Sequence, residues 1–501
     1  MSGVALEAAE APLVLTVDVG TSSTRALLYD ARARMVDGVS ARERGALVFE
    51  QGGAAEDDPL AALQRIERCV DGALRLAGAR AGDIAAVALD TYVSNIVPLD
   101  RTGRPLGPLL TYADTRNGPD ALALQQRLDE AAVHQRTGCL LRTSYWPARL
   151  AWYRRTQPEI WRETARWATL GELLEQRLFG TMRVSPSVAS WSGLLDRERL
   201  GWDAPLLEAL RTDVSRFAPL GDVDQPLSGL ARPWAARWPA LAAVPWLPAI
   251  GDGAAANIGS GCATPAQVAL TVGTTGALRR VRTALPQVPA GLWCYRVDRR
   301  RQLVGGATSE GGNVYSWLRR ALYLAGGPAA TERALAAAVP DGHGLTVLPF
   351  LAGERSPGWA GDVRGVFAGL TLATSQLDLL RAGLEAIAFR IALIAGRLLA
   401  DDAAATQVIA SGGALLASPT WLQIIADALG RPLTVSLEAE ATSRGCALLA
   451  LESLGVLDDA ARAPVTLGEV YEPDLATTAV YRAAMARQQH LYQLLIGQGW
   501  R

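Results

Sequence analysis

The chain has 501 residues, half of them apolar, and its 49 basic and 50 acidic residues leave a formal net charge of −1. That length exceeds what one hydrophobic core organises, so two globular units are expected, and the balanced, scattered charge carries no footprint for nucleic acid or an anionic membrane. Every one of the 49 basic residues is arginine, which excludes chemistry that needs a lysine: the P-loop, the protein-kinase site and Schiff-base catalysis.

The N-terminus has no basic region followed by a continuous apolar stretch, and the apolar helical segment 384–399 carries Arg390 and Arg397. These features predict a soluble cytoplasmic protein whose partners are small molecules, with a homodimer as the one macromolecular partner considered. Cys69, Cys139, Cys262, Cys294 and Cys446 stand far apart without a CxxC pair, and are expected as buried, reduced thiols.

After an N-terminal extension at 1–11, "LVLTVDVGTSSTRALLY" (13–29) reads as an apolar strand, a glycine turn and a second strand. Further short apolar runs follow: "IAAVALDTYV" (84–93), "AIGDGAAANIG" (249–259), "VALTVGTTGALRRV" (268–281), "LTVLPFLAG" (345–353) and "QVIASGGALL" (407–416). Helical patterns separate them, which predicts an α/β protein with largely parallel strands. The best helix signal is "SPTWLQIIADALG" (418–430), with Ser418 as cap, Pro419 in the first turn and Gly430 as stop. Residues 219–248, rich in proline and tryptophan, read as a connecting excursion. The pattern then restarts, placing a domain boundary between 12–260 and 261–501.

Four turns carry the chemistry. In the first, Asp18 ends a strand, Gly20 turns the chain, and Thr21 and Ser22 offer hydroxyls beside exposed backbone N–H groups. Such a hairpin holds phosphate without lysine, and Asp18 suits hydrated Mg²⁺. An ordinary hairpin is the alternative reading. At the second, "GDG", Asp252 projects from a strand end between two glycines, either as a helix cap or as the base that accepts a substrate hydroxyl's proton. The third repeats the first with Gly273 and Thr274, but Thr271 stands where the first has Asp18; only one copy is equipped for metal. In the fourth, Gly412, Gly413 and Ala414 leave room for a flat ring such as adenine.

In this order the turns resemble the FGGY carbohydrate kinase family, over about 12–454. The stretch "GVFAGLTLATSQLDLLRAGLEAIAF" follows the family's C-terminal signature, departing at Gly383, and "SYWPARLAW" follows the N-terminal one, departing at Trp146 and Arg149. The resemblance implies a two-domain actin/Hsp70/hexokinase-like fold of the ribonuclease H-like class, with the catalytic cleft between domains. It also implies ATP and Mg²⁺ as cofactors and ATP-dependent phosphorylation of a sugar hydroxyl. Asp18 would carry the metal, Thr21, Ser22, Gly273 and Thr274 the phosphates, Gly412, Gly413 and Ala414 the adenosine, and Asp252 the acceptor proton.

On the sugar side the resemblance points to Asp114 and Arg116 in "YADTRNGPDA", and to Ser94, which with Val93 replaces a Met-His pair. "TVGTTGALR", "GGATSEGGNVYSW" and "LPFLAGERSPGW" look most like gluconate kinases, with Arg279 and Arg355 as carboxylate partners. A gluconate-like sugar acid is therefore the first substrate expectation and a ketopentose such as xylulose the second. An actin- or Hsp70-like conformational ATPase and a catalytically silent sugar sensor are the readings from other classes.

Overall fold

The computed structural model describes residues 3–324, 326–400 and 406–497; the first two residues of the N-terminal extension and the last four of the chain lie outside the described residues. The apolar run at 13–19 is buried at every position, as a central strand covered on both faces requires. This strand, β1 (Leu13–Val19), is followed by β2 (Ser23–Tyr29), β3 (Met35–Arg44), β4 (Ile84–Thr91) and β5 (Ile250–Gly251). Their order across the sheet is β3-β2-β1-β4-β5.

The second half supplies β6 (Gln267–Val272), β7 (Gly276–Arg282), β8 (Trp293–Arg296), β9 (Gln302–Thr308), β10 (Gln407–Ser411), β11 (Leu433–Ser436) and β12 (Leu467–Tyr471). Its inner strands run β9-β7-β6-β10-β11 and repeat the directions of the first sheet. β8 and β12 add antiparallel edges. The expectation of largely parallel strands therefore holds on one side of each sheet only, because the β1–β2 and β6–β7 hairpins make the other side antiparallel. "LTVLPFLAG" yields a three-residue strand, Thr346–Leu348, that pairs with Val366–Ala368 outside both sheets; Pro349 stops it from extending.

Around the sheets lie α1 (Pro59–Ala77), α2 (Trp146–Thr156), α3 (Pro186–Trp191), α4 (Asp252–Gly259), α5 (Gln376–Leu398), α6 (Pro419–Leu429), α7 (Ala441–Ser453) and α8 (Leu475–Leu495). In α6 the Ser418 hydroxyl caps Trp421 N at 3.2 Å, and Gly430 closes the helix in the left-handed region. In α5, Arg390 forms a buried ion pair with Glu354 and Arg397 donates to Ala290 O at 2.8 Å. No helix among the described residues is long and apolar enough to cross a membrane. All five cysteines are buried and unpaired.

The two halves share structure. Helix α7, from the second half, lies on β1 and β4 of the first sheet and packs along α4. The small side chains of "DGAAANIG" explain this: a Cβ at Gly259 would stand 1.8 Å from Ala441 O, and one at Gly445 1.9 Å from Ala255 O. The two backbones therefore touch. A second tie is aromatic, with Trp191 stacked on Tyr295 at 3.6 Å and the Tyr145 and Tyr295 hydroxyls 2.5 Å apart.

This packing predicts that Gly445→Ala destabilises the protein by about 3 kcal/mol or more in urea unfolding, since the backbones must separate. Gly396→Ala, at an open helical position, is the matched control and should stabilise by about 0.5–1 kcal/mol. Equal behaviour of the two variants would contradict the account of the α4–α7 contact.

Candidate active site

Strand pairing brings three aspartates to the carboxyl ends of three neighbouring parallel strands. Asp18 on β1 stands opposite Asp90 on β4, and Asp90 opposite Ile250 of β5, two residues before Asp252 at the start of α4. Asp18 is 3% exposed and pairs with Arg25 Nη2 at 2.7 Å; the other end of that guanidinium holds Glu440, from the second half, at 2.6 Å. Burial nevertheless raises the Asp18 carboxyl above its ordinary pKa, against the pull of Arg25.

Asp90 is wholly buried, and burial followed by the charge of Asp18 pushes it well above the carboxylate range. Its Oδ2 accepts a 3.2 Å hydrogen bond from the Cys446 thiol of α7. Asp252 is pushed up to about 6 by burial, while Gly253 N–H and Arg279 pull down and Asp18 pushes up. Asp252 Oδ1 accepts from Gly253 N at 2.7 Å. An all-oxygen set of mutually repelling carboxylates suits Mg²⁺, a hard cation that keeps most of its water. A second cluster, Asp341, His343 and Glu385, is already engaged: Glu385 accepts from Arg381 and Tyr481, and Asp341 pairs with Arg487.

The phosphate-type turns assemble as neighbours in the second half. Gly312 N donates to Gly273 O at 2.8 Å and Asn313 N to Thr274 O at 3.2 Å, so the start of the following helix backs the β6–β7 turn. Gly412 has φ 101°, and a Cβ there would lie 2.4 Å from Val272 O, so only glycine fits. A Cβ at Gly312 would stand 2.6 Å from the Ala414 methyl, which joins the 412–414 turn, with Gly413 beginning its short helix, to the same wall. Ser22 and Thr274 are exposed at the tips of their hairpins and Thr21 is half-buried. In register, the counterpart of the Asp18–Asp90 pair is Thr271–Ser411, whose hydroxyls lie 3.0 Å apart.

The sugar-side residues fall into two groups. Asp114 and Arg116 pair with each other at 2.6 Å; Arg116 also holds Glu56 and lies over Trp152, and Asp114 accepts from Ala55 N. Ser94, in the left-handed region at φ 58°, spends its hydroxyl on Trp191 O at 2.6 Å and is buried. These three side chains are engaged within the protein. Arg279 and Arg355, by contrast, make no ion pair among the described residues, and Arg279 Nε is buried without a hydrogen-bond partner. Both act on Asp252's surroundings: burial lowers Arg279, with Asp252 opposing and Arg355 reinforcing, and burial raises Tyr112, with Asp252 reinforcing and Arg355 opposing.

The sequence pattern did not single out Asp90 and Trp191 as members of this site, whereas Tyr112 lies in the sugar-side segment that it marked. Asp90 sits inside a run that was legible as a strand, but only the parallel register sets it against Asp18. Trp191 comes from α3, whose sequence gives no chemical signal, and packs with Val93 against Gly251.

Comparison with known proteins covers nearly the whole chain. Residues 13–259 match the N-terminal domain, and residues 268–454 the C-terminal domain, of the FGGY family of carbohydrate kinases. A gluconokinase of Bacillus subtilis is 26% identical over 97% of this chain and 96% of its own length. A glycerol kinase of Citrifermentans bemidjiense is 30% identical over 92% and 94% respectively. Among solved structures, a xylulose kinase of Lactobacillus acidophilus superposes with a TM-score of 0.91 over 97% of this chain and 98% of that one, at 24% identity, which establishes the fold alone.

The raised Asp252 carboxyl gives a test that needs no substrate. Between about pH 4 and 6 the folded chain holds this proton more tightly than the unfolded chain, so stability falls as pH rises through that window and stays lower above it. Asp252→Asn removes the ionisation. Its Tm at pH 7.5 should exceed that of the parent by several degrees, for a stabilisation of up to about 3 kcal/mol, and the gap should close near pH 4. An equal or lower Tm at pH 7.5 would contradict the burial described.

Proposed function

The chain belongs to the FGGY family of carbohydrate kinases and is an ATP-dependent sugar kinase with the two-domain actin/hexokinase-like fold; on that premise we propose that its acceptor is a sugar acid of the gluconate type. The observation that carries this reading is a pair of guanidiniums that make no ion pair among the described residues: Arg279, whose charge acts on Asp252, and Arg355, whose charge acts on Arg279 and Tyr112. A planar guanidinium binds a carboxylate through two parallel hydrogen bonds. A neutral polyol would leave that charge uncompensated, an omission that costs most at Arg279, whose Nε is buried.

In the proposed reaction the acceptor hydroxyl gives its proton to Asp252, its oxygen bonds to the γ-phosphorus of ATP, and the bond from that phosphorus to the bridging oxygen breaks to release ADP. With its pKa near 6, Asp252 is ionised at neutral pH and ready to accept. Because the transition state is loose, alignment and charge neutralisation contribute more than basicity. Thr21 and Ser22 of one hairpin and Gly273 and Thr274 of the other bind the phosphates, and Gly412, Gly413 and Ala414 take the adenosine. Asp18 would hold hydrated Mg²⁺, which would supply charge neutralisation to the phosphates. Halves divided near 260/261 supply the opposing walls.

In this reading Asp114, Arg116 and Ser94, whose polar groups already bond within the protein, have a supporting part and shape the acceptor side. ADP release measured on gluconate and other aldonates, xylulose and glycerol tests the substrate class. An aldonate should give a kcat/KM at least about tenfold above the neutral acceptors, the scale of one good charge-assisted contact; a preference for xylulose or glycerol would replace the sugar-acid reading. Asp252→Asn should lower kcat by about 10²–10⁴ with nucleotide binding retained. For the parent protein, kcat/KM for the acceptor should fall below about pH 6 as Asp252 takes up its proton.

A further inference from the structure

The segment "SYWPARLAW" opens α2 and places Trp146 and Arg149 three residues apart, on one face of the helix. Trp146 Nε1 donates to Asn95 O at 3.0 Å. Arg149 donates through one terminal nitrogen to Ser94 O and through the other to Thr111 O. It is 1% exposed, it forms no ion pair, and its Nε has no partner among the described residues. Burial pulls its pKa down to about 10, with Asp114 opposing, so it stays charged at neutral pH.

An interior charge answered, among the described residues, only by carbonyl dipoles is unfavourable, and an apolar side chain of similar volume is often at least as stable in its place. What the guanidinium adds is geometry. Its rigid fork extends a junction that the backbone begins: Ile96 N donates to Leu110 O at 3.0 Å and Leu110 N to Ile96 O at 2.9 Å, and past that pair the guanidinium holds Ser94 O and Thr111 O at a set spacing. One segment carries Val93, which packs on Gly251 beside Asp252; the other continues into Tyr112, which feels the charges of Asp252 and Arg355. Both walls of the acceptor side are thus tied to one buried group behind them.

We propose that Arg149 is a positioning residue that fixes the separation of the 93–95 and 111–112 segments, and thereby the fit of the acceptor, without touching it. This rests on the reading of the Asp252 cleft as the acceptor site. Kinetics of the parent protein, Arg149→Met and Arg149→Lys, with acceptor and ATP varied in turn, test it, with Tm and nucleotide affinity measured alongside. Arg149→Met should raise the acceptor KM at least tenfold and leave the ATP KM within twofold. Arg149→Lys, which keeps the charge but not the fork, should fall between the two. An unchanged acceptor KM, or equal losses for acceptor and ATP, would overturn the proposal. If Arg149→Met does not fold, Arg149→Lys decides by the same split. A parent protein that turns over no carbohydrate would remove the acceptor reading itself, whereas turnover indifferent to both variants would remove only the role of Arg149.

Discussion

Three carboxyl groups held together at the ends of β1, β4 and α4's leading strand are the constraint around which the protein is arranged. Asp18, Asp90 and Asp252 are each raised by burial, and the charge of Asp18 acts on both neighbours. Such a cluster is unfavourable in isolation. The fold tolerates it through Arg25 on Asp18, the Cys446 thiol on Asp90 and the Gly253 N–H on Asp252. Two of these supports depend on the second half, since Arg25 is itself anchored by Glu440 and Cys446 rides on α7. The close α4–α7 contact is therefore part of the site as well as of the core. The carboxyl ends of parallel strands are where open α/β sheets bind ligands, and here the unspent repulsion favours a cation.

The duplicated architecture brings two different chemistries to one place. Both halves present a hairpin whose first strand lies parallel to the strand on its other side, with the same five-strand order. At equivalent register positions the first half has Asp18 and Asp90, and the second has Thr271 and Ser411. Carboxylates suit a metal; hydroxyls 3.0 Å apart, next to a glycine-lined wall, leave room for uncharged contacts to phosphate and ring. The backbone plan is shared, and the side chains at equivalent register positions differ in charge.

With no lysine in the chain, every cationic task falls to arginine, and environment separates their roles. Arg25 and Arg116 are held by carboxylates at 2.6–2.7 Å. Arg149 meets only carbonyl oxygens. Among the described residues Arg279 and Arg355 make no ion pair. A guanidinium keeps its charge when buried where an ammonium would surrender it, which makes this composition compatible with a site built on interior cations.

The sequence alone determined the α/β class, the two hairpins, the capped helix at α6 and the absence of the lysine-based mechanisms, because these follow from local periodicity, turn chemistry and composition. It also marked Asp18, Asp252 and the 412–414 turn, whose glycine neighbours advertise space for a ligand. It did not reveal that Asp90 faces Asp18, that Ser94, Asp114 and Arg116 spend their polar groups internally, or that Trp191 flanks Asp252. Those facts depend on strand register and on packing between residues distant in sequence, such as Ser94 with Trp191. Local sequence sets which groups a segment can offer; only the tertiary structure decides which remain uncompensated, because compensation comes from distant partners.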